Sequence, residues 1–284
     1  MKPGHGDTHR NEFAMISRKF LRIARLTEDR IRQLLRLNES EAKRARDAQA
    51  FWSKPITTDN SFWWHARNST PYVNADEKWL RIGQRHTQLF ADFARSAGID
   101  RPVGTIVEWG CGGGANAVAF ANECRDFWGV DVSTEALAAC AKELADDGQK
   151  CRFHPVKIEV SNPEVVLDVV PNDVDLFVSF YVFELFHSEE YGMRILKIAH
   201  KLLKPGGVAL IQVKYATSSW KTRSRRWAYK RGAGNMTTYR IEDFWTLAES
   251  VGFEPKTVTL LPKPPEVPDV RYAYFTLQKP KLSR

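Results

Sequence analysis

Apolar and amphipathic stretches alternate regularly from residue 104 to residue 213. Five short apolar runs, of which TIVEWG is the first and GGVALIQV the last, have the length and composition of buried strands. The segments between them repeat apolar residues at helical spacing. Because a tight turn cannot join successive parallel strands, this alternation predicts parallel pairing through right-handed helical crossovers. The pattern indicates a doubly wound α/β fold.

Two further strands are expected near the end of the chain. IEDFWTLAESVGF has the pattern of a helix that leads into a strand, and VRYAYFTLQ that of a last strand. The proline-rich LPKPPEVP between them suits a loop that joins the last two strands in antiparallel fashion. The expected sheet is therefore seven-stranded and mostly parallel.

The first hundred residues do not show this alternation of strands and helices. Residues 1–16 are predicted to be a flexible terminus, and residues 17–100 a helical, Trp-rich cap or lid. Residues 17–50 contain no Gly or Pro and predict a basic amphipathic helix, or two helices with a break near Thr27. This helix could pack on its own domain, join two copies in a homodimer, or contact a membrane surface or nucleic acid. The remaining domain, 101–284, carries a basic insertion at 214–236.

Composition excludes several classes of protein. Hydrophobic residues make up 43% of the chain and charged residues 27%, which excludes wholesale disorder. We expect no transmembrane segment and no signal peptide, and therefore a cytoplasmic protein, because no apolar run is long enough for either. The cysteines form no CxxC pair and have no nearby histidines at ligand spacing, which predicts reduced thiols and no metal site: Cys111, Cys124, Cys140 and Cys151.

Positive charge is concentrated in one region. Residues 191–241 hold twelve of the 42 Lys and Arg residues and no Asp or Glu. Within it, Lys214–Arg231 interleaves seven cations with aromatic residues. Arginine suits phosphate or carboxylate, and aromatic rings suit sugars or bases. A solvated surface, a pocket for an anionic small molecule or glycan, and a nucleic-acid contact all stay open.

A glycine-rich sequence, Glu108–Gly114, stands where the first strand turns into a helix. Glycines let the backbone approach a ligand closely, and a helix start favours an anionic group. Asp131, 21 residues after Gly110, stands where a ribose-binding acid is expected. This spacing fits NAD and other nucleoside cofactors equally well.

Three features together resemble the class I S-adenosylmethionine-dependent methyltransferases. They are the acid two residues before the first glycine, the LLKPGG sequence at 202–207, and DLFVSFYVFE at 175–184. The resemblance covers residues 103–213 well and 237–279 more loosely. It implies a Rossmann-like methyltransferase fold, a methyltransferase activity, and S-adenosyl-L-methionine as the cofactor.

The resemblance also assigns cofactor-binding roles. It implies that Glu108 anchors the methionine end, that Asp131 accepts hydrogen bonds from both ribose hydroxyls, and that Val132 lies beside the adenine. The chain has Lys157-Ile158-Glu159 where the family often shows a Gly-Asp or Asp-Ala pair. The full expected set is Glu108, Gly110, Cys111, Gly112, Gly114, Asp131, Val132, Ile158, Glu159 and Phe180.

Chemistry and topology select the remaining candidates. A sulfonium methyl is already activated, so an amine acceptor needs only to be neutral, whereas a hydroxyl benefits from a general base. Ligands bind beyond the carboxyl ends of parallel strands. The catalytic candidates are therefore His187, Glu184 and Tyr181, and the expected substrate-binding residues are Trp63, Trp64, His65, Tyr215, Trp220 and Arg223.

Several functions are compatible with these residues. The leading hypothesis is O-methylation of a polar small molecule or glycoside, and the alternative is an RNA or nucleic-acid methyltransferase that uses residues 214–231. An NAD-dependent oxidoreductase and a non-enzymatic scaffold rank lower. The sequence lacks the Asn/Asp-Pro-Pro-aromatic tetrad of base amino-group methyltransferases after the fourth strand, where Ser179-Phe180-Tyr181 stands instead.

Overall fold

Seven strands form one sheet in the computed structural model, which describes residues 23–54, 75–100, 103–146, 151–231, 235–262 and 271–281. In chain order the strands are β1 (Thr105–Trp109), β2 (Asp126–Asp131), β3 (Arg152–Lys157), β4 (Val174–Ser179), β5 (Leu203–Lys214), β6 (Glu254–Leu260) and β7 (Tyr272–Gln278). Their spatial order is β3-β2-β1-β4-β5-β7-β6. The first five strands are parallel, and β7 runs antiparallel to both β5 and β6. This architecture confirms the predicted fold class.

The helices of the described chain are α1 (23–34), α2 (Glu41–Trp52), α3 (Ala75–Ala97), α4 (Ala115–Phe120), α5 (Thr134–Asp146), α6 (Val166–Val169), α7 (Glu189–Leu202) and α8 (Ile241–Val251). The chain divides into two compact units, Met1–Ser40 and Glu41–Arg284. Helix α1 belongs to the first unit, and all the other elements belong to the second. The boundaries of the predicted cap, at residues 17 and 100, stay a prediction.

Helix α1 passes through Thr27 without a break. It ends at residue 34, and Arg36, just beyond the helix, has a left-handed backbone with φ of 53°. The Leu37 N–H donates to the Arg32 carbonyl at 2.9 Å, which is the bond pattern of a Schellman C-cap. Glycine is the usual residue at this position and often marks a helix end in a sequence. Because arginine stands here instead, this helix end was not visible in the sequence.

Both faces of the sheet are covered, and successive strand residues alternate between them. Ile106 belongs to the core under α3, α4 and α5, whereas Val107 belongs to the core under α6, α7 and α8. The central strands β1 and β4 are buried on both faces for this reason, whereas the edge strand β3 is only partly buried. Strand order reverses between β1 and β4, and a crevice opens there at the carboxyl ends of the strands.

Among the described helices, none combines the length and the apolar character that a membrane crossing requires.

Replacement of Phe275 tests the packing of the antiparallel strand β7 against helix α8. Its ring is fully buried, and its centroid lies 4.6 Å from that of Phe244 on α8. We expect Phe275→Ala to lower the free energy of unfolding by about 3–5 kcal/mol, because it leaves a cavity between β7 and α8. Denaturant unfolding followed by circular dichroism measures this change.

The matched control is Leu260→Ala on the neighbouring strand β6, where the side chain is 53% exposed. This variant should change the free energy of unfolding by less than about 0.5 kcal/mol. Equal losses in the two variants would contradict the assignment of Phe275 to the core.

Candidate active site

The loop between β1 and α4 brings bare backbone to the crevice. Gly110, Gly112 and Gly114 have φ values of 76°, 51° and 94°, which side-chain-bearing residues rarely adopt. A Cβ atom on Gly110 would lie 2.4 Å from the Val182 side chain. The Gly110 N–H donates to the Val130 carbonyl at 2.7 Å, which ties the loop to β2. A ligand can therefore approach this backbone closely.

Asp131 ends β2 directly beside the glycine loop. One of its carboxylate oxygens accepts a hydrogen bond from the Gly112 N–H at 3.0 Å, and the other accepts from the Ser133 N–H at 2.8 Å. Burial raises the pKa of Asp131, although these N–H donors oppose the rise. Each oxygen keeps a further lone pair, so the carboxylate can also accept from two ligand hydroxyls.

Glu108 lies in β1, below the loop, and is almost completely buried. Its Oε1 accepts a hydrogen bond from Asn116 Nδ2 at 2.5 Å, whereas Oε2 is buried with no hydrogen-bond partner among the described residues. Burial raises the pKa of Glu108 well above its usual value. A buried carboxyl oxygen without a partner is costly, and a cationic ligand group would satisfy it.

A cleft of about 710 Å³ lies above these residues. Its floor includes Gly110, Gly112, Asp131, Val132 and Ile158. Its opposite wall is aromatic and comes from α2, the start of α7 and the turn at 229–231: Trp52, Phe186, Tyr191 and Tyr229. The lining is mostly apolar and aromatic, which is the character of sites that bind small organic ligands.

His187 also lines this cleft and is 5% exposed. Its Nε2 lies 3.5 Å from Oε1 of Glu41 on α2, whereas Nδ1 is buried without a partner among the described residues. Burial lowers the pKa of His187 to about 4, and the Glu41 carboxylate opposes the change. At neutral pH the imidazole is therefore uncharged.

Contacts from α2 hold His187 in place. Arg44 Nε donates to the His187 carbonyl at 2.8 Å, and the Ser188 hydroxyl donates to Glu41 Oε1 at 2.8 Å. Ser188 also caps α7 by accepting a hydrogen bond from the Tyr191 N–H at 3.1 Å. The wall of the cleft therefore combines side chains that are far apart in the sequence.

A family model described as "Methyltransferase domain" matches residues 81–258, which is well over half of the 284-residue chain. The chain belongs to this methyltransferase family. No curated protein matches the sequence.

Solved structures share the fold of this methyltransferase. An S-adenosylmethionine-dependent methyltransferase from Clostridium acetobutylicum is 12% identical with a TM-score of 0.53, and the match covers 72% of this chain and 92% of that chain. The 1,6-didemethyltoxoflavin-N1-methyltransferase of Burkholderia thailandensis is 20% identical, with 72% and 80% covered and a TM-score of 0.51. The N-methyltransferase NodS of Bradyrhizobium japonicum is 16% identical, with 70% and 87% covered and a TM-score of 0.51. At these identities the likeness concerns the fold.

The methyltransferase uses S-adenosylmethionine as its cofactor, and the residues of the cleft fit that molecule. Asp131 has acceptor capacity for ribose hydroxyls, and Gly110 and Gly112 present backbone without side chains to the cleft. The unpartnered Oε2 of Glu108 matches the ammonium group of the methionine end. The resemblance in sequence and the geometry thus agree on the type of cofactor.

Five of the ten predicted cofactor-binding residues line the cleft: Gly110, Gly112, Asp131, Val132 and Ile158. Glu108 and Gly114 lie close behind the loop, where a Cβ atom on Gly114 would be 3.0 Å from the Cys140 sulfur. The structure does not bring the other three to the cleft wall. Cys111 packs into the core, Phe180 stacks on His86, and Glu159 is exposed and lies 3.3 Å from Lys157. The roles assigned to all ten stay predictions.

The three catalytic candidates separate in the structure. His187 lines the cleft, whereas Glu184 is buried behind it with its carbonyl accepting from the Met236 and Thr237 N–H groups. Tyr181 has a left-handed backbone with φ of 58° and packs edge-on against Tyr272, 5.1 Å between centroids. Burial raises the pKa of Tyr181, so its phenol stays protonated.

Three of the six predicted substrate-binding residues are described by the structure, and none of these three lines the cleft. Trp63, Trp64 and His65 lie outside the described residues. Tyr215, Trp220 and Arg223 follow β5 but are absent from the cleft wall. Sequence reasoning instead missed Ala48, Trp52 and Tyr229, which contribute to that wall. Trp52 begins the Trp-rich stretch and Tyr229 lies in the basic segment, so each was within a region of interest but carried no individual signal.

Several cations of the basic segment 214–231 have partners in the protein. Arg226 forms an ion pair with Glu189 at 3.2 Å, and Arg225 lies 5.8 Å from the centroid of the Trp227 ring. Lys221 lies 5.9 Å from the centroid of the Trp220 ring. Some of the cationic side chains of this segment are therefore held by contacts within the protein.

Removal of the Asp131 charge tests the nucleoside end of the site. We expect Asp131→Asn to weaken the binding of both S-adenosylhomocysteine and 5′-methylthioadenosine by about tenfold or more, because both contain the ribose that the carboxylate would hold. Isothermal titration calorimetry gives the two dissociation constants. Glu254→Gln, on the exposed edge strand β6, is the charge-matched control, and wild-type affinity in Asp131→Asn would refute the assignment.

Proposed function

We propose that this methyltransferase transfers a methyl group to a hydroxyl oxygen of a small polar molecule or glycoside, with His187 as the general base. The observation that carries the proposal is a neutral imidazole on the wall of the cleft, backed by a carboxylate and with one nitrogen unpartnered. It stands in the same cleft as the residues that fit the nucleoside of the cofactor.

The surroundings of His187 assign its tautomer. Nε2 faces the Glu41 carboxylate, which can only accept a hydrogen bond, so Nε2 carries the proton and Nδ1 has a free lone pair. S-adenosylmethionine supplies a methyl group that is activated by its bond to positive sulfur. As the new C–O bond forms and the S–C bond breaks, Nδ1 takes the hydroxyl proton, and Glu41 stabilises the resulting imidazolium.

The chemical character of the wall favours an uncharged acceptor. The aromatic rings of Trp52, Phe186, Tyr191 and Tyr229 suit the face of a sugar or a planar ring. Among the described residues that line the cleft, none is Lys or Arg, so phosphate groups would find no counter-charge there. The nucleic-acid alternative therefore has less support than a small molecule.

Two of the similar folds are named as N-methyltransferases, so the fold does not choose the acceptor atom. The imidazole favours oxygen, because a neutral amine can attack the methyl group without a base whereas a hydroxyl gains from one.

The variant His187→Gln tests the proposal. We expect turnover with hydroxyl acceptors to fall by about 10²–10⁴-fold, because the amide cannot take up a proton. The affinity for S-adenosylhomocysteine should stay within about twofold of wild type, since Asp131 and Glu108 are untouched. The measurement is release of S-adenosylhomocysteine with panels of phenols, glycosides, amines and total RNA.

The pH profile gives a second readout. For wild type, kcat/KM should be lost as the pH falls through about 4, because protonation of His187 removes its lone pair. Turnover with amines or RNA alone, or wild-type turnover of His187→Gln with hydroxyl acceptors, would refute the proposal.

A further inference from the structure

Three buried polar side chains form a continuous hydrogen-bonded chain from α3 to β1. His86 Nδ1 lies 2.7 Å from Asn116 Oδ1, and Asn116 Nδ2 lies 2.5 Å from Glu108 Oε1. All three side chains are buried, with exposed fractions of 0%, 8% and 1%. Polar atoms so deep in a core are costly when they lack a partner, and two atoms of this set, His86 Nε2 and Glu108 Oε2, have none among the described residues.

The direction of each hydrogen bond follows from the donor and acceptor types. The Asn116 amide donates to Glu108, so its carbonyl oxygen faces His86 and must accept. His86 therefore carries its proton on Nδ1. Burial lowers the pKa of His86 to about 3, so the ring is neutral. Asn116 thus accepts a hydrogen bond from His86 on α3 and donates one to the Glu108 carboxylate in β1.

Packing fixes the imidazole of His86 in this position. Its ring stacks on Phe180 with a centroid separation of 3.7 Å and an angle of 5° between the planes. Helices α3 and α4 come together closely one turn before His86, since a Cβ atom on Gly83 would lie 2.1 Å from the Ala115 carbonyl oxygen. This close crossing places His86 within reach of Asn116.

We propose that His86 and Asn116 are positioning residues that hold Glu108 by one oxygen and so present the other, Oε2, to the ammonium group of the cofactor. The proposal rests on the assignment of Glu108 to the methionine end of the site. It is independent of the acceptor and of His187. Binding measurements without an acceptor can therefore refute it while the proposed reaction stands, and the reverse also holds.

The hydrogen bond from Asn116 also affects the pKa of Glu108. The Asn116 N–H favours the charged form of Glu108 and so opposes the burial and the nearby Asp131 charge, both of which raise the pKa of Glu108. The titratable groups around this carboxyl are Asp131 on β2, Cys111 in the glycine loop and neutral His86 on α3. Loss of the Asn116 donor should therefore make the carboxylate harder to form.

Two ligands separate the positioning role from a general structural one. S-adenosylhomocysteine carries the ammonium group, whereas 5′-methylthioadenosine has the same nucleoside thioether without the amino-acid tail. For Asn116→Leu we expect S-adenosylhomocysteine to bind about tenfold more weakly at neutral pH and 5′-methylthioadenosine to bind within about twofold of wild type. His86→Leu should show the same selective loss, and His86→Gln, which can still donate to Asn116, should recover part of it.

The dependence on pH provides the third readout. Binding of the ammonium group requires ionised Glu108, so the affinity for S-adenosylhomocysteine should rise with pH as that carboxyl loses its proton. In Asn116→Leu the rise should move to higher pH, because the hydrogen bond that favours the carboxylate is gone. The affinity for 5′-methylthioadenosine should show no such displacement between the two proteins.

Gln88→Leu is the matched control on α3, since Gln88 is exposed and bonds to Asp92 at 2.8 Å. It should leave both affinities unchanged. Equal losses for the two ligands in Asn116→Leu and His86→Leu would mean that the chain only supports the fold, and unchanged S-adenosylhomocysteine binding in both would mean that it does not position Glu108. Either result overturns the proposal. If a leucine variant does not fold, Asn116→Ala and His86→Ala, which remove the same hydrogen bonds, carry the same comparison.

Discussion

The hydrogen bond from the Gly112 N–H to the Asp131 carboxylate joins the two halves of the cofactor site. It is 3.0 Å long and connects the loop after β1 to the end of β2. The connection is possible because the two strands are parallel and paired with Trp109 opposite Val130, so that they end side by side. A side chain in the loop would break it, since the space beside Gly110 is already filled by Val182. The arrangement of the sheet thus places the glycine loop beside Asp131.

Two carboxyl groups, Glu108 and Asp131, are buried in the same site. Their ionised forms need positive charge nearby. Burial raises the pKa of both Glu108 and Asp131, and the Asp131 carboxylate further disfavours the ionisation of Glu108. S-adenosylmethionine brings a positive ammonium group and a positive sulfur atom, which compensate this negative charge. A ligand that binds the folded protein better than the unfolded chain also stabilises it. If Glu108 and Asp131 hold the cofactor as proposed, its binding will also stabilise the fold.

The sequence was informative where a function depends on neighbouring residues. The alternation of strands and helices predicted the sheet, and local spacing identified the glycine loop and Asp131. It was uninformative where the site depends on contacts between distant residues. Trp52 and Tyr229 are far apart in the chain, and their 2.7 Å hydrogen bond on the aromatic wall of the cleft follows from how α2 packs. The ion pair of Arg226 with Glu189 was likewise not visible from the basic segment alone, because Glu189 lies outside that segment.

The two buried histidines, His86 and His187, have different surroundings, and these surroundings suit them to different roles. Burial lowers the pKa of both, so both are neutral at physiological pH. His86 donates to an amide, lies against Phe180 and stands outside the cleft wall. Protonation of its second nitrogen would place an uncompensated charge in the core, with no carboxylate in hydrogen-bond contact with the ring in the described structure. His187 faces Glu41, so the charge it would acquire on accepting a proton is met by a carboxylate. A base must tolerate its own protonated form, and of the two rings His187 has the surroundings for it.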